Sequence, residues 1–265
     1  MSAHSWTHEM TTPASGAWAD HFSGNARDYA RYRPSYPAEL FSWLAGQAPA
    51  RDCAWDIATG NGQAARQLTG HFRRVLASDG SAPQISAARP ADRVDWVLCR
   101  AEAAALASDT VDLVTVAQAL HWFVSDTFYD EVRRVARAGA LVAVWTYALA
   151  AIHPPVDTIL KQFHDQVMGP WWPPRRRHVA TGYRDLPFPF PEVETPTFAM
   201  TARWRLQDLL SYLGTWSSVA RAHAETGADP LAPLAANLRP AWGKEEVVRT
   251  VTWPLAVRAG RVLKP

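Results

Sequence analysis

Residues 55–63, WDIATGNGQ, decide the fold. An apolar run beginning at Cys53 ends on Asp56 and Ile57, the chain passes through Ala58, Gly60 and Gly62, and a helical pattern resumes at Gln63. Glycines belong where the backbone turns tightly or where a ligand must reach main-chain atoms that a Cβ would cover. Outward from this loop, strand-like runs at 74–78, 94–99, 111–117 and 141–146 alternate with helical patterns at 63–68, 82–88 and 126–137. In the last of these helices Phe128, Val132 and Val135 share one face, Ser125 can cap the start, and Gly139 is available to end it. Strand and helix alternating at this spacing predict a parallel sheet covered by helices on both faces.

Beyond Tyr147 the rhythm changes. Val156, Ile159, Leu160, Phe163 and Val167 predict an amphipathic helix, and residues 169–191 are rich in Trp, Pro and Arg. Phe198, Met200, Ala202 and Trp204 alternate as in a half-buried strand; Leu206, Leu209, Leu210, Leu213 and Trp216 mark a helix; residues 247–257 read as a last strand. Upstream, a helical pattern from Trp18 to Gln47 is interrupted at residues 33–37, RPSYP, where two prolines force an extended turn. The expected organisation is a tail over 1–16, a cofactor-binding core with N-terminal lid helices over 17–147, a cap insertion over 148–192, and a C-terminal part of the same sheet over 193–265.

Composition narrows the chemistry. The chain has 265 residues, 48% hydrophobic and 20% charged, with a net charge of +2. A nucleic-acid binder needs a basic surplus on one face, and only Arg175–His178 form a basic run. Lysine is scarce, with Lys161, Lys244 and Lys264 among 27 basic residues, which leaves Schiff-base chemistry little to stand on. Thirteen tryptophans are present. Trp43, Trp55, Trp96 and Trp145 fall on core elements, and Trp122, Trp171 and Trp172 are expected near a cavity mouth. No H-E-x-x-H, C-x-x-C, G-x-S-x-G or Walker pattern appears, so no metal site is expected. Cys53 and Cys99 sit in different apolar runs without a secretory signal, and the longest apolar stretch is too short to span a bilayer. A cytoplasmic monomer without membrane or nucleic-acid partners is the expectation.

Asp79, at the end of the second strand, is placed to accept hydrogen bonds from both hydroxyls of an adenosine ribose. Gly60, Gly62 and Ala65 also spell the G-x-G-x-x-A of a nicotinamide site. A pyrophosphate seeks the bare positive end of a helix, whereas Asp56 at the loop mouth would repel it. A carboxylate there suits a ligand that brings its own cation, as S-adenosylmethionine does through its amino group and sulfonium. An NAD(P)-dependent oxidoreductase is one alternative, and a non-catalytic S-adenosylmethionine-binding module is another.

The order of motifs resembles the class I S-adenosylmethionine-dependent methyltransferases with a methyltransferase type 11 domain, and within them the trans-aconitate methyltransferase-like branch. The matching segments are residues 29–37 (YARYRPSYP), 55–63, 76–81 (LASDGS), 100–106 (RAEAAAL) and 111–123 (VDLVTVAQALHWF). Residues 182–190 (GYRDLPFPF) and 251–261 (VTWPLAVRAGR) also look familiar, without an assigned role. The resemblance implies a Rossmann-like doubly wound α/β sheet, mostly parallel and seven-stranded with an antiparallel last strand, plus a helical cap insertion. It implies an enzyme that consumes S-adenosylmethionine and releases S-adenosylhomocysteine. The cofactor residues it implies are Tyr29, Arg33, Asp56, Ala58, Gly60, Gly62, Gln63, Asp79, Gly80, Ser81, Ala101, Glu102, Ala117, Gln118 and Ala119. Ala58 replaces the family's first glycine, which an ordinary φ/ψ would tolerate, and Arg100 replaces a frequent adenine-binding Asp.

Methyl transfer needs alignment and a dry, aromatic-walled cavity more than bond-making groups. His121 and Trp122 follow the fourth strand at the edge where ligands of this fold bind. His121 is the catalytic candidate: a general base for a hydroxyl or amine, a positioning group for a carboxylate, or a histidine that ties two loops together. Trp122 equally fits core packing. Arg33, Tyr36, Arg177 and Tyr183, with Arg184 nearby, are the other candidates for holding an acceptor, an arginine fork suiting a carboxylate. The expected reaction is O- or N-methylation of an anionic or aromatic small molecule.

Overall fold

The computed structural model describes residues 34–264. Tyr29 and Arg33, with the 1–16 tail and the first part of the expected lid, lie outside them. Seven strands form one sheet: β1 (Cys53–Ile57), β2 (Arg74–Asp79), β3 (Val94–Leu98), β4 (Val111–Ala117), β5 (Ala136–Tyr147), β6 (Phe198–Trp204) and β7 (Arg249–Arg261), in the order β3-β2-β1-β4-β5-β7-β6. β1 to β5 pair in parallel, and β7 runs antiparallel between β5 and β6. The helices are α1 (Ala38–Gln47), α2 (Gln63–Leu68), α3 (Ala82–Ala87), α4 (Asp126–Val135), α5 (Pro154–Gln162), α6 (Arg177–Ala180), α7 (Leu206–Gly214), α8 (Ser217–Thr226) and α9 (Leu231–Trp242).

The sequence pattern explains why the centre holds. β1 reads CAWDI and β4 VDLVTVA, near-continuous apolar runs whose residues are almost all buried, as strands covered on both faces must be. β3, at the edge, has no buried residue, and Asp95 and Leu98 are exposed. β6 buries Phe198 and Met200 while exposing Thr201 and Arg203. Helices α1, α2, α5, α7 and α9 pack their apolar faces on one side of the sheet around Trp145 and Trp253. The other side is closed by α4 and by residues 179–190, around Trp55, Phe128 and Val144. On α4 Ser125 Oγ accepts from the Phe128 N–H at 3.2 Å, and Phe128, Val132 and Val135 are fully buried. Each of these side chains contributes about 1.5–3 kcal/mol of hydrophobic burial.

Four expectations change. Gly139 does not end α4: the chain turns into β5 at Ala136, and Gly139 sits inside that strand with φ +78°. The helix carrying Val156 does not keep its register, because residues 163–167 form a wider π turn that swings Val167 out to 51% exposure. The second strand of the sheet ends one residue later than expected, on Asp79 itself. Residues 217–242 form two helices that the pattern did not single out; their alanines dilute the apolar stripe, and Pro240 stands in the last turn of α9.

Candidate active site

The carboxyl ends of β1 to β4 open on one cavity of about 590 Å³, within the usual size for a small-molecule site. Its walls are supplied by the segments that leave four strands, within residues 57–64, 79–84, 99–102 and 117–123 but without Gly62, Leu120 and His121, together with Tyr36. Adjacent parallel strands end at one level, so their exit loops converge on a single edge of the sheet.

The glycine loop is strained as built. Ala58 and Gly60 have φ of +51° and +56°, so Ala58 does not occupy the ordinary conformation expected of it; its left-handed backbone costs roughly 1–2 kcal/mol relative to glycine. Gly62 is needed for a different reason than contact with a ligand. It is not a wall residue, and a Cβ there would lie 2.0 Å from the Trp96 ring, which packs against the loop from β3.

Two carboxylates set the loop. Asp56 stands on β1 opposite Thr115 of β4, and its oxygens accept from Thr115 Oγ1 at 2.7 Å and Thr59 Oγ1 at 2.5 Å. It is 1% exposed and lies beneath the cavity without forming part of its wall, so it meets the loop and not the ligand space. Burial pushes its carboxyl up to about 6, opposed by the two threonine hydroxyls and the Ala65 N–H. Asp79 does line the cavity. Its Oδ2 accepts from the Gly60 N–H and its Oδ1 from the Ser81 N–H, each at 2.9 Å, and burial raises its pKa against those bonds. A carboxylate has about four acceptor positions. The Gly80 N–H also bears on this carboxylate, so at least one position stays available to a ligand's hydroxyls.

Of the remaining cofactor candidates, Ala58, Gln63, Gly80, Ser81, Ala101, Glu102, Ala117, Gln118 and Ala119 all line the cavity. Gln63 is steadied by donating to the Pro34 carbonyl at 2.8 Å. Arg100 is a wall residue as well and pairs with Glu102 at 3.5 Å. Sequence reasoning missed Thr59, Asn61, Pro83, Gln84, Cys99 and Phe123. Thr59, Asn61, Cys99 and Phe123 directly follow a strand end or neighbour a candidate, so the rule that ligands bind at the carboxyl edge would have found them, whereas Pro83 and Gln84 lie in the first turn of α3 and carry no such signal.

The acceptor candidates divide. Tyr36 and Trp122 line the cavity; His121, Arg177 and Tyr183 do not. Arg177 is exposed, and Trp172 packs on Trp216 and under the Arg176 guanidinium, away from the cavity wall. His121 is buried behind Trp122, ring centroids 4.7 Å apart, and its Nδ1 lies 2.9 Å from the Tyr183 hydroxyl. Burial, with Arg176, His178 and Arg175 nearby, pulls its pKa down to about 3. The imidazole is neutral at physiological pH and too weak a base for the general-base role expected of it. Arg175 donates to the Trp122 carbonyl at 2.5 Å, fixing the turn that carries both rings.

Comparison with known proteins bears on this geometry. A methyltransferase domain family matches residues 55–144, the strands and loops that build the cavity. A protein assigned as a methyltransferase in Dictyostelium discoideum is 32% identical over 212 residues, 78% of this chain and 81% of its own. The chain belongs to the class I S-adenosylmethionine-dependent methyltransferases. A solved methyltransferase structure from Anaeromyxobacter dehalogenans, assigned to type II, is similar at 47% identity and TM-score 0.83, over 88% of this methyltransferase and 99% of that chain. The YcgJ protein of Bacillus subtilis shares the fold alone, at 12% identity and TM-score 0.51. The methyltransferase family implies S-adenosylmethionine as cofactor, and the donor set of this cavity fits it: a carboxylate with a free acceptor position for a ribose, a cradle of left-handed backbone, and aromatic rings at the far end.

Proposed function

We propose that this methyltransferase transfers the methyl group of S-adenosylmethionine to oxygen or nitrogen of a small molecule. The observation that carries the reading is Asp79, a cavity-lining carboxylate that ties the glycine loop to the end of β2 and keeps an acceptor position open. Bound S-adenosylmethionine supplies an electrophilic methyl on a sulfonium. The chain's own part is binding and alignment. Asp79 would accept from the ribose. Ser81, Ala101 and Glu102 would border the adenine, Ala58 and Gly60 would admit the methionine portion, and Gln118 with Ala119 would lie beside the sulfur.

Trp122, Phe123 and Tyr36 offer ring faces, which attract a sulfonium and exclude water. Holding donor and acceptor in line is worth up to roughly 7–11 kcal/mol in reactions of this type. The described residues place no arginine fork inside the cavity except Arg100, at its adenine end, so an aromatic acceptor fits the far wall better than an anionic one.

Titration calorimetry with S-adenosylhomocysteine tests the reading. We expect a single site, no binding of NAD or NADP, and at least a tenfold loss, about 1.4 kcal/mol, in Asp79→Ala. Binding of NAD(P) in place of S-adenosylhomocysteine would overturn it. Unchanged affinity in the variant would remove Asp79 from the ribose.

A further inference from the structure

Residues 81–84, SAPQ, spell a capping box, in which a serine before a helix and a glutamine three residues later satisfy each other's main-chain N–H groups. Here the box is not closed. The Ser81 side chain makes no cap on α3, and the Ser81 N–H, to which Gln84 would otherwise reach back, donates to Asp79 Oδ1 at 2.9 Å. The Gln84 carboxamide is left to turn elsewhere. It lines the cavity, and its Oε1 lies 3.8 Å from the place that a Cβ on Gly60 would occupy. Asp79 and Gln84 thus flank one glycine: Oδ2 of the first accepts from the Gly60 N–H at 2.9 Å, and the second stands over the Gly60 Cα.

The other two glutamines of the cavity wall are tied down. Gln63 Nε2 donates to the Pro34 carbonyl at 2.8 Å. Gln118 Oε1 accepts from Thr146 Oγ1 at 2.7 Å, and its Nε2 donates to the Tyr147 carbonyl at 3.4 Å. The Gln84 side chain, though half-buried, makes no hydrogen bond among the described residues. A carboxamide offers donors on its nitrogen and acceptor positions on its oxygen, and here both ends are open to what enters the cavity.

The supply of acceptors at Asp79 gives this opening its use. The Gly60 and Ser81 N–H groups occupy two of the roughly four acceptor positions of the carboxylate, and the Gly80 N–H bears on it as well. One position is assured. A ribose brings two neighbouring hydroxyls, each of which both donates and accepts. The second hydroxyl therefore needs a partner beside Asp79, and Gln84 stands across the same glycine with its carboxamide unengaged.

We infer that Gln84 is a cofactor-binding residue that shares the ribose with Asp79: the carboxylate accepts from one hydroxyl, and the Gln84 carboxamide pairs with the other. The inference rests on the proposed function for the identity of the ligand. It adds the residue through which the site reads both hydroxyls. Asp79 has a second part in the arrangement, since by taking the Ser81 N–H it keeps the capping box open and Gln84 free.

Titration calorimetry of the full chain with S-adenosylhomocysteine and its 2′-deoxy and 3′-deoxy analogues tests the assignment. In the wild type, removing the hydroxyl on Gln84 should weaken binding about fivefold, the effect of one neutral hydrogen bond, and removing the hydroxyl on Asp79 about tenfold or more, because that partner is charged. Gln84→Met keeps the length of the side chain. It should bind S-adenosylhomocysteine about fivefold more weakly than the wild type, bind one deoxy analogue as well as the parent, and still lose about tenfold on the other. Ser81→Ala should keep the wild-type dependence on both hydroxyls. A Gln84→Met chain that binds S-adenosylhomocysteine as tightly as the wild type, or that discriminates against both analogues as the wild type does, would overturn the inference. Loss of that discrimination in Ser81→Ala instead would give the hydroxyl to Ser81 and overturn it too. A wild type that binds no S-adenosylhomocysteine overturns the proposed function itself, whereas wild-type binding with unchanged discrimination in Gln84→Met overturns this inference alone.

Discussion

Asp56 and His121 are held far from their ordinary ranges in opposite senses, and their consequences for stability oppose each other. The Asp56 carboxyl is pushed up to about 6 from 3.8, so between those values the folded chain holds a proton that the unfolded chain has lost. Its contribution is present below about pH 4 and lost as pH rises through 6, a change of about 3 kcal/mol. His121 is pulled down to about 3 from 6.5, so in that window the unfolded chain binds the extra proton. Its contribution is present above 6.5 and lost as pH falls toward 3. Urea unfolding from pH 4 to 7 should separate the two. Relative to wild type, Asp56→Asn should gain stability as pH rises through this range, and His121→Gln should lose it. Parallel curves for wild type and Asp56→Asn would mean that the carboxyl titrates normally.

At the scale of elements, the glycine loop and the edge strand β3 act as one unit, because the Trp96 ring occupies the space that a Cβ on Gly62 would need. Gly62→Ala combines this clash with a φ of +80° and should destabilise by roughly 2–4 kcal/mol. In a Trp96→Leu background the clash disappears and only the backbone cost remains. The double-mutant cycle, read from unfolding midpoints, should therefore show at least about 1 kcal/mol of coupling; additive effects would place the ring elsewhere. This pair shows where the sequence was legible. The strand–loop–helix pattern and the place of Asp79 could be read from residues 55–79, because strand ends and glycines leave local signatures, whereas Asp56, expected at the loop mouth, is buried off the cavity wall. That Trp96 dictates Gly62 could not, since the two meet only through the pairing of β2 with β3. The same holds for His121: its position after β4 was legible, but its neutral state depends on burial and on the Arg176 charge, which the chain brings back from more than fifty residues away.

Across the whole molecule, the two segments that sequence alone left without a role are each other's partners. Residues 182–190 lie against β7, the C-terminal strand inserted between β5 and β6. Gly182 sits where a Cβ would come within 2.7 Å of the Ala256 Cβ. The Arg258 guanidinium donates to the carbonyls of Tyr183 and Leu186, pairs with Glu192, and stacks 4.8 Å from the Phe188 ring centroid. The last strand to be made thus fixes Tyr183, and through it His121, while the cofactor loops rest on the first four strands. Arg258→Met keeps the apolar stem but leaves the Tyr183 and Leu186 carbonyls unpaired, a cost of about 1–3 kcal/mol. We expect hydrogen exchange in peptides covering residues 179–190 to accelerate, with S-adenosylhomocysteine affinity held within about twofold, since Asp79 and its loop are untouched. Equal losses in both measurements would show that the C-terminal strand supports the cofactor loops too, and that the two ends of the cavity are not separately held.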